Sequence, residues 1–212
     1  MHQLQKIGGL SALGNGMIYI AVFAFYAVAN HLPADATAAQ KLAFLAEHQL
    51  MLSLVNLLGY LVFGMLLAVL VLALYQRLKD NAPALMQLAT LFGVLWVGLV
   101  IASGMVSNIG LNQVVKLATA QPEQAWSVWL AVNTVVEGLG GGNEIVGGLW
   151  VLLLSLAAFQ SNTLPRTLNY LGFLVGSAGI LTLYPADVFT EIFGLSQILW
   201  FFWLGMVLLR KS

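Results

Sequence analysis

Five stretches of this 212-residue sequence, residues 7–29, 51–75, 85–107, 167–183 and 188–209, run almost without charge for the length of a bilayer crossing. A hydrocarbon core about 30 Å thick is spanned by roughly 20 residues at helical rise. Inside it every backbone group must be satisfied within the segment or a closed barrel, so such runs fold as helices. A sixth run ends at residue 159. The stretch 126–159 is far too long for one straight crossing. We divide it into an outer amphipathic helix over 126–139 and a membrane helix over 143–159. The composition agrees, with 60% apolar and 8% charged residues, against roughly a quarter charged in a soluble domain. The fold class that follows is all-α: a single six-helix transmembrane bundle occupying residues 1–212.

Lysine and arginine in short loops set the orientation of such a bundle. Lys6, Arg77, Lys79, Arg166, Arg210 and Lys211 fall on one side, and only Lys41 and Lys116 on the other, which places both termini in the cytoplasm. Asp35, Glu47, Glu123, Asp187 and Glu191 lie toward the outer side, with Asp80 alone in a cytoplasmic loop. The first helix has a signal-peptide-like outline, with Lys6 before it and Ala27-Val28-Ala29 at its end, but its apolar run exceeds the usual h-region. Asp80-Asn81-Ala82-Pro83 and Ser161-Asn162-Thr163-Leu164-Pro165 carry the cap residues and prolines of short helix–helix connections. The outer connections, 31–50 and 112–124, are longer. Within 38–50, Leu42, Leu45 and Ala46 recur at helical spacing among charged residues, as in an interfacial helix. Asp187 is expected to cap the last helix, and Trp126 and Trp129 fit an interfacial belt.

Chemistry concentrates in residues 133–148. On a continuous helix Asn133, Glu137 and Glu144 share one face with Gly140 and Gly148. A charged side chain near the bilayer centre costs about 2.5–3.5 kcal/mol, so such a residue faces protein or a water-filled cavity. Three successive glycines each cost about 1 kcal/mol relative to alanine in a helix interior, which makes 140–142 the expected break. Asn143 or Glu144 then stands at a helix N-terminus, where exposed N–H groups favour negative charge. Two arrangements satisfy this pattern: a break that lines a site, as in transporters, or a tight turn at the outer surface with both carboxylates wet. Asn15, Asn56, Ser103, Ser107 and Asn108 are the other polar residues within apolar runs, and Gly9, Gly16, Gly172 and Gly176 read as close helix packing.

Much chemistry is excluded. A net charge of zero leaves no basic face for nucleic acid. The absence of cysteine removes disulfides, thiolate zinc, iron–sulfur clusters and c-type haem. His2 is terminal and His31 and His48 lie in an outer connection, so no membrane haem and no metal site is expected. No G-x-S-x-G, H-E-x-x-H or intramembrane Asp pair is present, and no catalytic residue is assigned. The helix interiors contain no Arg or Lys, which favours a neutral or cationic ligand over an anionic one.

Asn143-Glu-Ile-Val-Gly-Gly-Leu-Trp150-Val-Leu-Leu-Leu-Ser, Leu164-Pro-Arg-Thr-Leu-Asn-Tyr-Leu-Gly172 and Ile192-Phe-Gly-Leu-Ser-Gln-Ile-Leu-Trp200 resemble a group of uncharacterised six-helix membrane proteins of bacteria. That resemblance implies a bacterial inner membrane and brings no activity. The residues themselves suggest a non-enzymatic protein that binds a small apolar or cationic ligand, or a lipid, in an outward-opening cavity. Glu137, Asn143 and Glu144 would form its polar end, with Asn133 and Asn108 as supports and no cofactor. Transport by so short a chain without an internal repeat would require a homo-oligomer. The alternatives are an accessory subunit held by glycine faces to a membrane partner, and an intramembrane lipid-modifying enzyme using Glu137 and Glu144.

Overall fold

The computed structural model describes residues 2–29, 33, 35–141, 144–184 and 186–210. Within them the chain is helical throughout and contains no strand. The helices are α1 (His2–Ala29), α2 (Ala38–Glu47), α3 (Gln49–Asn56), α4 (Phe63–Leu78), α5 (Pro83–Ala118), α6 (Pro122–Val136), α7 (Ile145–Ser161), α8 (Arg166–Leu181) and α9 (Asp187–Arg210). Two π-helical stretches interrupt the α pattern, Leu57–Val62 between α3 and α4 and Glu137–Gly141 after α6.

Local chemistry explains several boundaries. Pro83 and Pro122 open α5 and α6 at positions where a missing N–H costs nothing. Thr37 caps α2 in a reciprocal box with Gln40. Asn162 closes α7 in the left-handed conformation at φ 52°, which asparagine tolerates better than most residues. Asp187 is the first residue of α9, where its charge complements the helix dipole.

Antiparallel packing places α1, α5 and α8 in one direction and α3–α4, α6–α7 and α9 in the other, so both termini lie at the same end of the bundle. Glycines set the distances. A Cβ at Gly148 would stand 2.8 Å from the Gly176 carbonyl oxygen, and one at Gly205 would stand 2.9 Å from the Gly9 carbonyl oxygen. Backbones this close gain dispersion contacts, the main attraction left between helices in lipid. Gly93 and Gly147 make room for the rings of Trp150 and Trp96. Those rings continue to Trp200 with 5.7 Å between successive centroids. At the terminal end Gln5 donates to the Ala73 carbonyl (2.8 Å) and accepts from Arg77 (3.3 Å), tying α1 to α4.

Among the described residues five stretches are long and apolar enough to cross a membrane: His2–Val28, Gln49–Leu78, Pro83–Ala118, Pro122–Ser161 and Asp187–Arg210. Large side chains such as Leu91, Val94, Ile109, Leu195 and Leu199 are more than half exposed on them. That much apolar surface fits lipid and not water. α8, at 16 residues and about 24 Å, is shorter than any of these five stretches.

The third apolar run differs most from its sequence reading. The helix does not stop near residue 107 but continues to Ala118, through much of what the sequence presents as a loop over 112–124. Polar Asn108, Asn112, Gln113 and Lys116 end the apolar run there. Helix geometry persists because Leu111 and Val114 are buried with Leu42, Leu45 and Ala125 in a second, smaller core. Tertiary packing thus extends the helix beyond its hydrophobic signal. The result is a long α5–α6 hairpin with α2 against its flank, capping the end of the bundle opposite the termini.

Gly148→Ala is expected to lower the stability of the detergent-solubilised protein by about 1–3 kcal/mol through overpacking. Gly98→Ala, where nothing lies within 4 Å of the new Cβ, should leave stability unchanged or raise it. Thermal unfolding of both variants checks this, and equal effects would contradict the packing described.

Candidate functional site

The break between α6 and α7 is built by Gly140, whose φ of 144° and ψ of 20° lie outside any helical region. Only glycine adopts that conformation without strain. The turn redirects the chain so that Glu144 stands at the N-cap of α7. Its backbone is held firmly, with its N–H donating to Thr182 Oγ1 (3.0 Å) and its carbonyl accepting from the Gly148 N–H (2.7 Å). Its carboxylate does not cap the helix. Glu144 is 8% exposed, and Oε2 is buried without a hydrogen-bond partner. The Trp96 indole acts on this carboxylate, although Nε1 falls outside hydrogen-bond geometry.

Glu144 and Gly140 wall a chamber of about 140 Å³. Across from them stand Tyr19 and Phe23 of α1, Tyr60 of the first π stretch, Phe63 and Trp96. Both π-helical stretches therefore border the same cavity, a frequent placement for such bulges. Tyr19 lies edge-on to Phe23 (5.7 Å) and to Phe63 (5.4 Å), and Phe63 lies edge-on to Trp96 (5.9 Å). These contacts make a continuous aromatic wall.

A larger cavity of about 670 Å³ lies toward the capped end, between α2, α3, α5 and α6. Lys41, Trp126, Asn133 and Glu137 are among its lining, and Tyr26, Asn56 and Tyr60 line both cavities. Tyr60 stands within electrostatic reach of Glu137 on one side and Glu144 on the other. Asn56 is fixed by donating to Ser107 Oγ (2.8 Å) and Asn108 Oδ1 (3.1 Å), while Asn108 donates to the Ser53 carbonyl (3.4 Å). Lys41 sits over the Trp126 ring, 5.5 Å from its centroid.

Of the residues singled out from sequence, Glu144 thus lines the chamber, and Glu137 and Asn133 line the larger cavity. Asn108 lines neither and acts through Asn56. Asn143 lies outside the described residues. The π stretch removes the continuous helix on which Glu137 and Glu144 would share a face. They occupy adjoining cavities instead. The aromatic wall escaped sequence reasoning because its members come from separate helices. So did Gln197, which is fully buried and, like Asn15, has both side-chain polar atoms without a partner among the described residues. Asn15 precedes Tyr19 by one helical turn, and Gln197 lies one turn from Phe193 and Phe201.

Among the described residues no group of three or more His, Asp or Glu side chains is placed to hold a metal ion. The long apolar helices define a multi-pass membrane protein. The chain belongs to the family described as Domain of unknown function (DUF4386), whose family model matches residues 13–211. No curated protein and no solved structure matches the chain.

Gly140→Ala is expected to cost about 1–3 kcal/mol of stability by forcing a side chain into a positive φ. Gly138→Ala, in the same π stretch with open space around it, should cost little. Unfolding of the two variants in detergent distinguishes them, and tolerance of alanine at 140 would refute the break as described.

Proposed function

We propose that this protein crosses a bacterial inner membrane six times, with both termini in the cytoplasm, and binds a small ligand or lipid headgroup in the aromatic chamber. The sixth crossing is α8. It packs antiparallel along α7 through Gly148, Gly176 and Gly179, and so returns the chain to the end from which α9 starts. Lys6, Arg77, Lys79, Arg166 and Arg210 gather at the terminal end, in keeping with a cytoplasmic face. The large cavity then faces outward and serves as a vestibule to the chamber. Glu144 forms the polar end of the chamber, while Glu137 and Asn133 line the vestibule and Asn108 acts through Asn56.

One observation carries this reading: Glu144 Oε2 is buried, lines the chamber and has no partner. A carboxylate retained only for structure would cap α7 or bond a neighbouring helix, since leaving it unpaired in an apolar setting costs several kcal/mol. Here the cap hydrogen bond is absent, and the cost is offset when a ligand supplies the missing partner. The α5–α6 hairpin forms one wall of the vestibule.

Native mass spectrometry of protein released gently from its own membrane tests the proposal. Wild type should carry a small-molecule or lipid adduct, and the Glu137→Gln/Glu144→Gln double variant, expressed at the same level, should lose most of it. Retention of a protein adduct by both, with no small ligand on either, would overturn ligand binding in favour of an accessory subunit.

A further inference from the structure

We infer that the chamber is a receptor for a small organic ammonium cation, methylated or quaternary, held by the rings of Tyr19, Tyr60, Phe63 and Trp96 and neutralised by Glu144. The inference rests on the ligand-binding reading above and specifies its ligand class. Three features of the chamber select this chemistry.

Aromatic side chains from α1, the first π stretch, α4 and α5 line the walls, and the face of such a ring is its electron-rich part. Aromatic boxes of this kind attract methylated ammonium groups, whose diffuse charge is cheap to strip of water. The buried groups without a hydrogen-bond partner on the chamber wall are the Glu144 carboxyl oxygen Oε2 and Trp96 Nε1, so the ionisable one is an acid, and no Lys, Arg or His is among the described residues that line the chamber. A neutral guest would leave that carboxylate without a counter-charge, and an anionic guest would face it directly. Size is the third feature. A cavity of about 140 Å³ is close to the roughly 150 Å³ that accommodates benzene in an engineered apolar pocket. It takes a guest of about six or seven heavy atoms, the size of a trimethylammonium group with a short arm.

The vestibule fits the same guest. Lys41, the cation among its lining residues, is drawn onto the Trp126 ring, and Glu137 presents a second carboxylate on the far side of Tyr60. A cation would therefore pass from one carboxylate to the next across a tyrosine and Asn56. The same ammonium chemistry is carried by free amines and by choline-type phospholipid headgroups, and the experiment separates the two sources.

Labelled choline is titrated onto the full-length protein in maltoside micelles and read by scintillation proximity. The comparison ligand is 3,3-dimethylbutan-1-ol, which has the same shape with carbon in place of the charged nitrogen, with its binding followed by ligand-observed NMR. Wild type should bind choline at least tenfold more tightly than the alcohol. Glu144→Gln should weaken choline at least tenfold and change the alcohol by less than about threefold. Should Glu144→Gln fail to fold, the wild-type ratio decides alone, and Trp96→Phe, which keeps a ring, should weaken choline less than Trp96→Leu.

Equal affinity for choline and the alcohol in wild type would overturn the cation inference while leaving a ligand-binding chamber intact. Binding of neither, together with no adduct in native mass spectra, would remove the underlying reading as well. Displacement of choline by dihexanoyl-phosphatidylcholine, and not by its phosphatidylglycerol counterpart, identifies a lipid headgroup as the source. Displacement by free amines alone identifies a soluble one. Equal displacement by phosphatidylglycerol would contradict the inference.

Discussion

A backbone that leaves helical geometry among packed helices must find cover and hydrogen bonds in protein, because water is not at hand to supply them. The turn at Gly140 meets that constraint, and much else in the structure follows from it. The Glu144 N–H reaches Thr182 at the end of α8, so α8 must lie against the start of α7, which the glycine contacts of Gly148, Gly176 and Gly179 permit. Val100 of α5 covers the break, its side chain 4.0 Å from where a Gly140 Cβ would stand, and Tyr19 of α1 lines the same chamber. Covering the break without filling it leaves the aromatic chamber.

Placing the carboxylate there is costly in the same way. Burying a carboxyl oxygen without a partner costs several kcal/mol, and the bundle does not recover this through a cap or an interhelical bond to Oε2. Elsewhere the bundle shows how buried polar groups are satisfied when function makes no demand. Asn56, Ser107 and Asn108 bond one another, Ser103, Ser161 and Ser196 bond carbonyls within their own helices, and Gln5 bonds Ala73 and Arg77. Asn15, Gln197 and Trp96 Nε1 are also buried without partners among the described residues; Glu144 Oε2 differs from them in belonging to an acid that lines a cavity, and the proposed binding position rests on that difference.

Much of the architecture was legible in the sequence because membrane helices announce themselves by length and composition. The connections at 80–83 and 161–165 were legible from proline and cap residues, and the break was legible from three consecutive glycines. What the sequence hid is long-range. The extension of α5 to Ala118 is held by Leu111 and Val114 against residues of α2 and α6, a contact that no local pattern reveals. The π stretch at Leu57–Val62 has no sequence mark comparable to the glycine triplet. Nor could spacing reveal that Tyr19, Tyr60, Phe63 and Trp96 converge, since helix-by-helix reading treats each as an interchangeable apolar residue. Glu137 and Glu144 were conspicuous as charges in an apolar context, but their separation into adjoining cavities depends on the φ of a single glycine.

The account stands on a carboxylate position that is buried yet reached from the outer side. Because the chain contains no cysteine, a single thiol at Glu144→Cys can be probed in intact cells with a membrane-impermeant methanethiosulfonate bearing a quaternary ammonium group. The account predicts modification from outside, well above the rate at Ser155→Cys, a site buried between α7 and α8. Reaction no faster than at 155, or reaction only from the cytoplasmic side, would contradict it.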